Sequence, residues 1–386
     1  MLYLAEKKGE NLEQKLKKAV GKLQTVGDEA LLVCLGEKSS LDPEKLCTIL
    51  QRKGITFFGG VFPGLIYDGQ HRERGLVINK FPLFSEPVLI EDLNNLAAMD
   101  NLLGPIKEKT RRAVKRKTAL VLVDGLADNI DDFLAGIYNI FASSINYIGG
   151  GAGSLAMKQQ PCVFCNQGVF ANSGLVIPID LDCGTGVRHG WKKVYSPFIA
   201  TRTEGTRISE LNWKPALEVY TELVNEDLDK SGQEHKISKD NFFEIAKGYP
   251  FGIVKENEES IVRDPIAVNP REDIVCVGSI PQNAVLDILK GEKENLIRAA
   301  GEAVKAAAEI EKDVTQVHSK MILDCISRVL FLEDSFAAEM EEIQQKSAEI
   351  SEDIIAGALT IGEISSQGRG YIELYNKTTV AGVFYE

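Results

Sequence analysis

His189, flanked by Gly190 and Trp191 in a polar stretch, has the widest chemical range of any residue in this chain. An imidazole there can coordinate haem iron, hydrogen-bond an anionic ligand or serve a structural hydrogen bond, because its pKa lies near neutrality. Cys183, just upstream, could pair with it as nucleophile and base. No nucleophile elbow, HExxH or signature carboxylate pair accompanies the two, so a Cys/His hydrolase is the lesser alternative and a non-enzyme is expected. Trp191 reads as a core or pocket-wall aromatic.

Arg202, Arg207, Arg263 and Arg328 sit close to glycines or strand ends, where a guanidinium can grip a carboxylate through two parallel hydrogen bonds. The alternative at each is an ion pair; for Arg328 the candidates are Asp324, Glu333 and Glu363. At least one is expected to line a pocket. The run GGGAG (Gly149 to Gly153) follows an apolar strand and could offer its amides to a carboxylate or phosphate. Equally, glycines at a strand end can serve a tight turn or close packing. It is neither a P-loop nor a GxGxxG that opens a helix. Cys162 and Cys165 form a CxxC, but on a strand they face opposite sides and there is no second pair, so neither metal nor redox use is expected. Asn166 and Asn376 are read as hairpin caps or pocket groups.

These residues must be positioned by a local plan that occurs three times. An apolar strand enters a polar turn, an amphipathic helix and a second strand that breaks at glycine. The copies begin at ALLVCLG (Ala30 to Gly36), ALVLVDG (Ala119 to Gly125) and MILDCIS (Met321 to Ser327). Glycine-ended strands place open backbone where sheets meet, which is where small ligands are usually held. The fold class expected is α/β, in two domains of mixed parallel and antiparallel sheets with helices, built from this repeated strand-helix-strand unit. An opening helix carries Leu12, Leu16, Ala19, Val20 and Leu23 on one face. Residues 161–170 and 173–181 read as two strands joined by a hairpin turn at Ala171 and Asn172. A long helix is predicted over Asn283 to Lys312.

Length and charge bound the rest. A chain of 386 residues suits about two domains at roughly 150 residues each. A net charge of −12 argues against nucleic acid, which needs clustered Lys and Arg; the one basic run, Lys109 to Lys117, reads as a solvated face. No run of roughly eighteen apolar residues exists, so no membrane span is expected. No secretion signal is recognised, and seven scattered cysteines suit reduced thiols, so a cytoplasmic location is expected.

At GGGAG, HGW (His189 to Trp191), RDP (Arg263 to Pro265), DCISR (Asp324 to Arg328), GEI (Gly362 to Ile364) and NKTTV (Asn376 to Val380), the chain resembles the FIST family. The resemblance runs from about residue 25 to the end and includes PALEVY (Pro215 to Tyr220). It implies a FIST N-terminal-like domain over 10–203 and a FIST C-terminal-like domain over 204–386. It also implies a prokaryotic sensory module of signal transduction that binds a small ligand, an amino acid or other small anion, between the two. A subset of the family binds haem and senses nitric oxide, which would make His189 the iron ligand. The family usually has glycine after the Ile-Pro pair near residue 281, where this chain has Gln282 and Asn283. No kinase, receiver or cyclase segment is recognised, so output is expected through a separate signalling protein such as a histidine kinase or cyclase. The residues expected at the ligand are Gly149, Gly150, Gly151, Asn166, His189, Trp191, Arg202, Arg263, Arg328, Glu363 and Asn376.

Overall fold

The computed structural model describes residues 1–386 except 8–9, 22, 24, 26, 112–116, 234, 256–258, 310–315 and 367–369. Strand β1 (Glu29–Gly36) leads through helix α1 (Pro43–Gln51) to β2 (Phe57–Phe62), which lies parallel to it. The helix starts where it does because Asp42 caps it, its carboxylate accepting from Glu44 N (3.0 Å) and Lys45 N (3.2 Å), with Pro43 in the first turn. After β2 the chain forms a hairpin, β3 (Gly64–Tyr67) and β4 (Gln70–Arg72), and returns as β5 (Leu76–Pro82), antiparallel to β1.

The second copy follows the same path. Strand β6 (Lys117–Asp124), helix α2 (Ile130–Phe141) and β7 (Ile145–Ala152) precede a hairpin of β8 (Val163–Cys165) and β9 (Gly168–Phe170). Then β10 (Gly174–Ile179) pairs antiparallel with β6. Strand β11 (Asp182–Arg188) leaves this region. Residues 192–290 build a separate antiparallel sheet that includes β12 (Phe251–Ile253), β13 (Ile261–Val268) and β14 (Ile274–Val277). The third copy is β15 (Val317–Cys325), helix α3 (Phe336–Ala348), β16 (Ile355–Thr360), the hairpin β17 (Glu363–Ser366) and β18 (Ile372–Tyr375), and β19 (Thr379–Tyr385).

The hairpins do not stay with the unit that makes them. β3/β4 joins β16, β8/β9 joins β2, and β17/β18 joins β7, so each unit completes the sheet of another. Two of these three sheets therefore mix strands from both sides of residue 203. A swing of one half on the other would break these hydrogen-bonded ladders.

Glycine lets the strands pack closely, both within a unit and where the units meet. A Cβ on Gly59, Gly149 or Gly357 would lie 1.9, 1.7 or 1.7 Å from the carbonyl oxygen of Val33, Val121 or Ile322, the neighbour in the parallel pair. One step on, a Cβ on Gly60 would meet Ala152, and one on Gly150 would meet Thr360, because β2, β7 and β16 abut one another.

Some elements differ from the sequence reading. Residues 161–170 fold as a hairpin on themselves, turning at Asn166 and Gln167, while β10 joins another sheet; Ala171 and Asn172 are a crossing between sheets. The predicted long helix is a strand, Val285–Lys290, then a helix, Lys293–Ala308, because the β-sheet claims the first apolar residues; residues 310–312 lie outside the described part. Most of the basic run, residues 112–116, also lies outside it. Asn283 takes a φ of 67°, the left-handed conformation in which glycine is usual and asparagine is tolerated.

Gly149→Ala is expected to cost more than about 3 kcal/mol or to abolish folding, since a backbone strand would have to move. Gly21→Ala, at the end of the helix Leu12–Val20 with a helical φ of −63° and only ordinary contact around it, is expected to stabilise by about 0.5 kcal/mol. Urea denaturation of both variants checks the contrast; equal effects would contradict the steric account.

Candidate functional site

On α2, Asp131, Leu134, Ala135, Tyr138 and Asn139 recur at helical spacing and form one wall of a cleft of about 430 Å³. The facing wall comes from β12 and β13, where Ile253, Ile261 and Arg263 share a sheet face, and from the edge strand β18. Two wider surface depressions, about 730 and 820 Å³, hold exposed charged groups that already have partners, such as Lys38 with Glu73 and Asp68 with Gln344.

Arg263 is the chemical centre of this cleft. Its guanidinium is buried and donates to three carbonyl oxygens: Ser279 O (2.7 Å), Leu374 O (2.9 Å) and Val262 O (3.2 Å). No carboxylate pairs with it among the described residues, and its Nη2 makes no hydrogen bond there. Gly278 permits this placement, because a Cβ on it would lie 2.9 Å from Arg263 Nε. Burial lowers the Arg263 pKa, while the fields of Asp131 and Glu373 oppose the shift. Asp131 accepts from the Ser279 hydroxyl and pairs with no Lys or Arg among the described residues. The cleft therefore holds an unpaired cation and an unpaired anion within reach of each other's field. Lys255 and Glu373 pair at 2.5 Å on the wall, and the rings of Tyr138 and Tyr371 lie 4.4 Å apart at the rim.

The other expected site residues fall elsewhere. The amides of Gly149, Gly150 and Gly151 run within the sheet; Gly151 N, for example, donates to Gly362 O at 2.8 Å. These glycines serve close packing and offer no open amide cradle. Asn166 bridges two turns, accepting from Phe57 N (2.8 Å) and donating to Ile55 O (2.8 Å). Arg202 is 66% exposed and pairs with Glu210 on its own hairpin at 2.9 Å. Arg328 is fully enclosed. It pairs with Glu339 and, at 3.2 Å, with Asp324, and it donates to the carbonyls of His189, Leu296 and Lys377. No donor is left for a ligand, so the ion-pair alternative holds for Arg328.

Trp191 donates from its indole to Lys377 O (3.0 Å) and packs on Phe331. Glu363 is buried with its Oε1 accepting from Thr360 (2.7 Å). Burial pushes the carboxyls of Asp324 and Glu363 well up, holding both toward the protonated form. Asn376 lies on the far side of β13 from the cleft, beside a smaller chamber.

His189 does not fit an iron ligand. Its Nδ1 accepts from Trp191 N (2.8 Å), which leaves the proton of the neutral ring on Nε2, facing Ser260 Oγ at 3.2 Å. Both nitrogens are thus in use, and burial pushes the imidazole pKa down to about 4. Cys183 is also buried, its thiol pKa driven well up, and its hydrogen bond goes to Gly184 O (3.4 Å) instead of to the imidazole. Cys162 and Cys165 are free and buried, and no metal-binding cluster occurs among the described residues.

Residues 30–214 match the FIST N domain and residues 216–366 match the FIST C domain. The chain belongs to the FIST family. FIST domains are associated with sensory signal transduction. No helix among the described residues is long and apolar enough to cross a membrane. None of the curated proteins is significantly similar to the chain. In this FIST protein the sequence reading singled out Arg263 but not Asp131, Ser279, Lys255 or Glu373. Asp131 sits in the first turn of an amphipathic helix, where an acid is ordinary, so its only signal was the helical face it shares with Tyr138.

His189 makes a pH prediction. Its folded pKa of about 4 lies below the unfolded value of about 6.5, so its neutral form carries no penalty above pH 6.5. This contribution to stability is lost as pH falls through that window, and the loss is complete below pH 4. Glu259 raises the pKa, while Arg328 and Arg188 lower it further. Between pH 7 and pH 4 the native protein is expected to lose up to about 3 kcal/mol more than His189→Gln. Urea titrations at each pH measure this, and parallel losses would contradict it.

Proposed function

We propose that this FIST protein is a cytoplasmic sensor, not an enzyme, that binds a free amino acid in the cleft between α2 and β13. The observation that carries the reading is a pair of unmatched charges inside one hollow: among the described residues Arg263 has no anion and Asp131 no cation. An α-carboxylate on Arg263 and an α-ammonium on Asp131 would supply both missing partners at once. A bare anion would match only the first, so the lining favours a zwitterion. Leu134, Ile253, Ile261 and Tyr138 offer apolar surface for an aliphatic or aromatic side chain.

A ligand there would touch α2 from the N-terminal half and β12, β13 and β18 from the C-terminal half. Binding would favour the arrangement in which these elements are drawn together, which is a change in population that a separate signalling protein could read. A histidine kinase or a cyclase is the kind of partner that fits. Seven free, buried cysteines suit a reducing, cytoplasmic setting.

Thermal shift with amino acids tests this. Leucine or phenylalanine in hundredfold excess over its Kd should stabilise the protein by about 2.7 kcal/mol. The matching amine or carboxylic acid alone should not. Asp131→Asn should weaken binding at least tenfold with little change in the unliganded melting temperature. A full amino-acid panel without any shift, or an equal response to the bare acids, would defeat the reading.

A further inference from the structure

Strand alternation sends Arg263 and its neighbour Asp264 to opposite faces of β13. Asp264 faces a second hollow, a chamber of about 250 Å³ at the carboxyl ends of β15 and β16, lined by residues of both halves of the chain. Open α/β sheets hold ligands at such strand ends. Its floor is polar and its mouth is not.

At the floor, Asp264 is buried and its Oδ2 pairs with Lys377 Nζ at 3.1 Å. Its Oδ1 has no hydrogen-bond partner, and neither has Asn376 Oδ1. The Ser327 hydroxyl approaches the carboxylate and, after Lys377, helps to hold its pKa down against burial, while Oδ1 itself makes no hydrogen bond. Two buried acceptors left open are costly unless something donates to them. Charge is already balanced here by Lys377, so the missing partner is a neutral donor and not a second cation. At the mouth stand four side chains that are unusually exposed for their type: Leu155 (40%), Met157 (49%), Phe243 (37%) and Leu330 (43%). Large apolar groups gathered at one opening mark a place where an apolar body enters.

We propose that this chamber is a second ligand site, for a small neutral apolar molecule carrying an N–H or O–H donor that reaches Asp264 and Asn376. It is separate from the amino-acid cleft, because β13 stands between them and the two hollows share no lining residue. An aromatic ring with one donor is of suitable size for a space of roughly eight water volumes.

Indole and 1-methylindole, which differ by that donor, provide the test. Titration of the purified full-length protein, followed by calorimetry, should give binding of indole and about tenfold weaker binding of 1-methylindole. Val277→Phe, which fills the chamber from β14, should abolish indole binding. Leu330→Trp, at the exposed mouth, gives a second variant whose folding is not at risk and should weaken binding at least tenfold. The proposal is overturned if neither indole nor phenol binds, if 1-methylindole binds as tightly as indole, or if both variants bind like the native protein. The amino-acid response is read with different ligands, so either site can fail alone.

Discussion

The structure depends on the close approach of three backbones. β2, β7 and β16 abut one another, and each carries a glycine whose missing Cβ leaves room for a neighbouring carbonyl. No side chain can be added at Gly59, Gly149 or Gly357 without moving a strand. The hairpins that follow these strands can then reach across and complete other sheets, so cooperativity is a matter of shared ladders and not of a buried interface between independent halves. That is why the binding proposed above would act as a local tightening around α2 and not as hinge closure.

Around this centre the polar interior is arranged by pairing. Arg328 gathers Glu339, Asp324 and three carbonyls, and Lys377 joins Asp264, Trp191 and the carbonyl of Lys247. Enclosed charges persist when they are paired and hydrogen-bonded, and these are. Among the groups left with unmet capacity, two stand side by side on β13. Arg263 and Asp264 are consecutive residues, yet among the described residues one has no anion and the other keeps an open acceptor, each toward a different hollow.

The elements were legible where the signal is local. Runs such as Ala119 to Gly125 and the helical spacing of Ile130, Phe133, Leu134 and Ile137 are set by nearest neighbours, and the structure has the strand and helix there. The family was legible because several short motifs occur in order. Partner choice was not. Nothing in residues 163–170 says that they pair with β2 instead of the following strand, because that choice depends on backbone separated by a hundred residues or more. The same limit applies to charge. Of the three acids the sequence offered Arg328, Asp324 is a partner, but Glu339, which was not among them, takes two of its donors because α3 folds back against it. Arg263 could be suspected from its neighbours, whereas Asp131 becomes chemical only when α2 lies against β13.

The crossed hairpins bear on how the chain is made. β3 and β4 emerge early, but the strand that receives them, β16, is synthesised far later. At roughly 5–20 residues per second, that hairpin waits tens of seconds on the ribosome with an unpaired edge. A nascent FIST chain must therefore shield Leu65 and Ile66, both fully buried at the end, from other strands in the crowded cell. Truncated products that lack the last unit would leave this edge open permanently, which makes them candidates for aggregation and for rapid clearance.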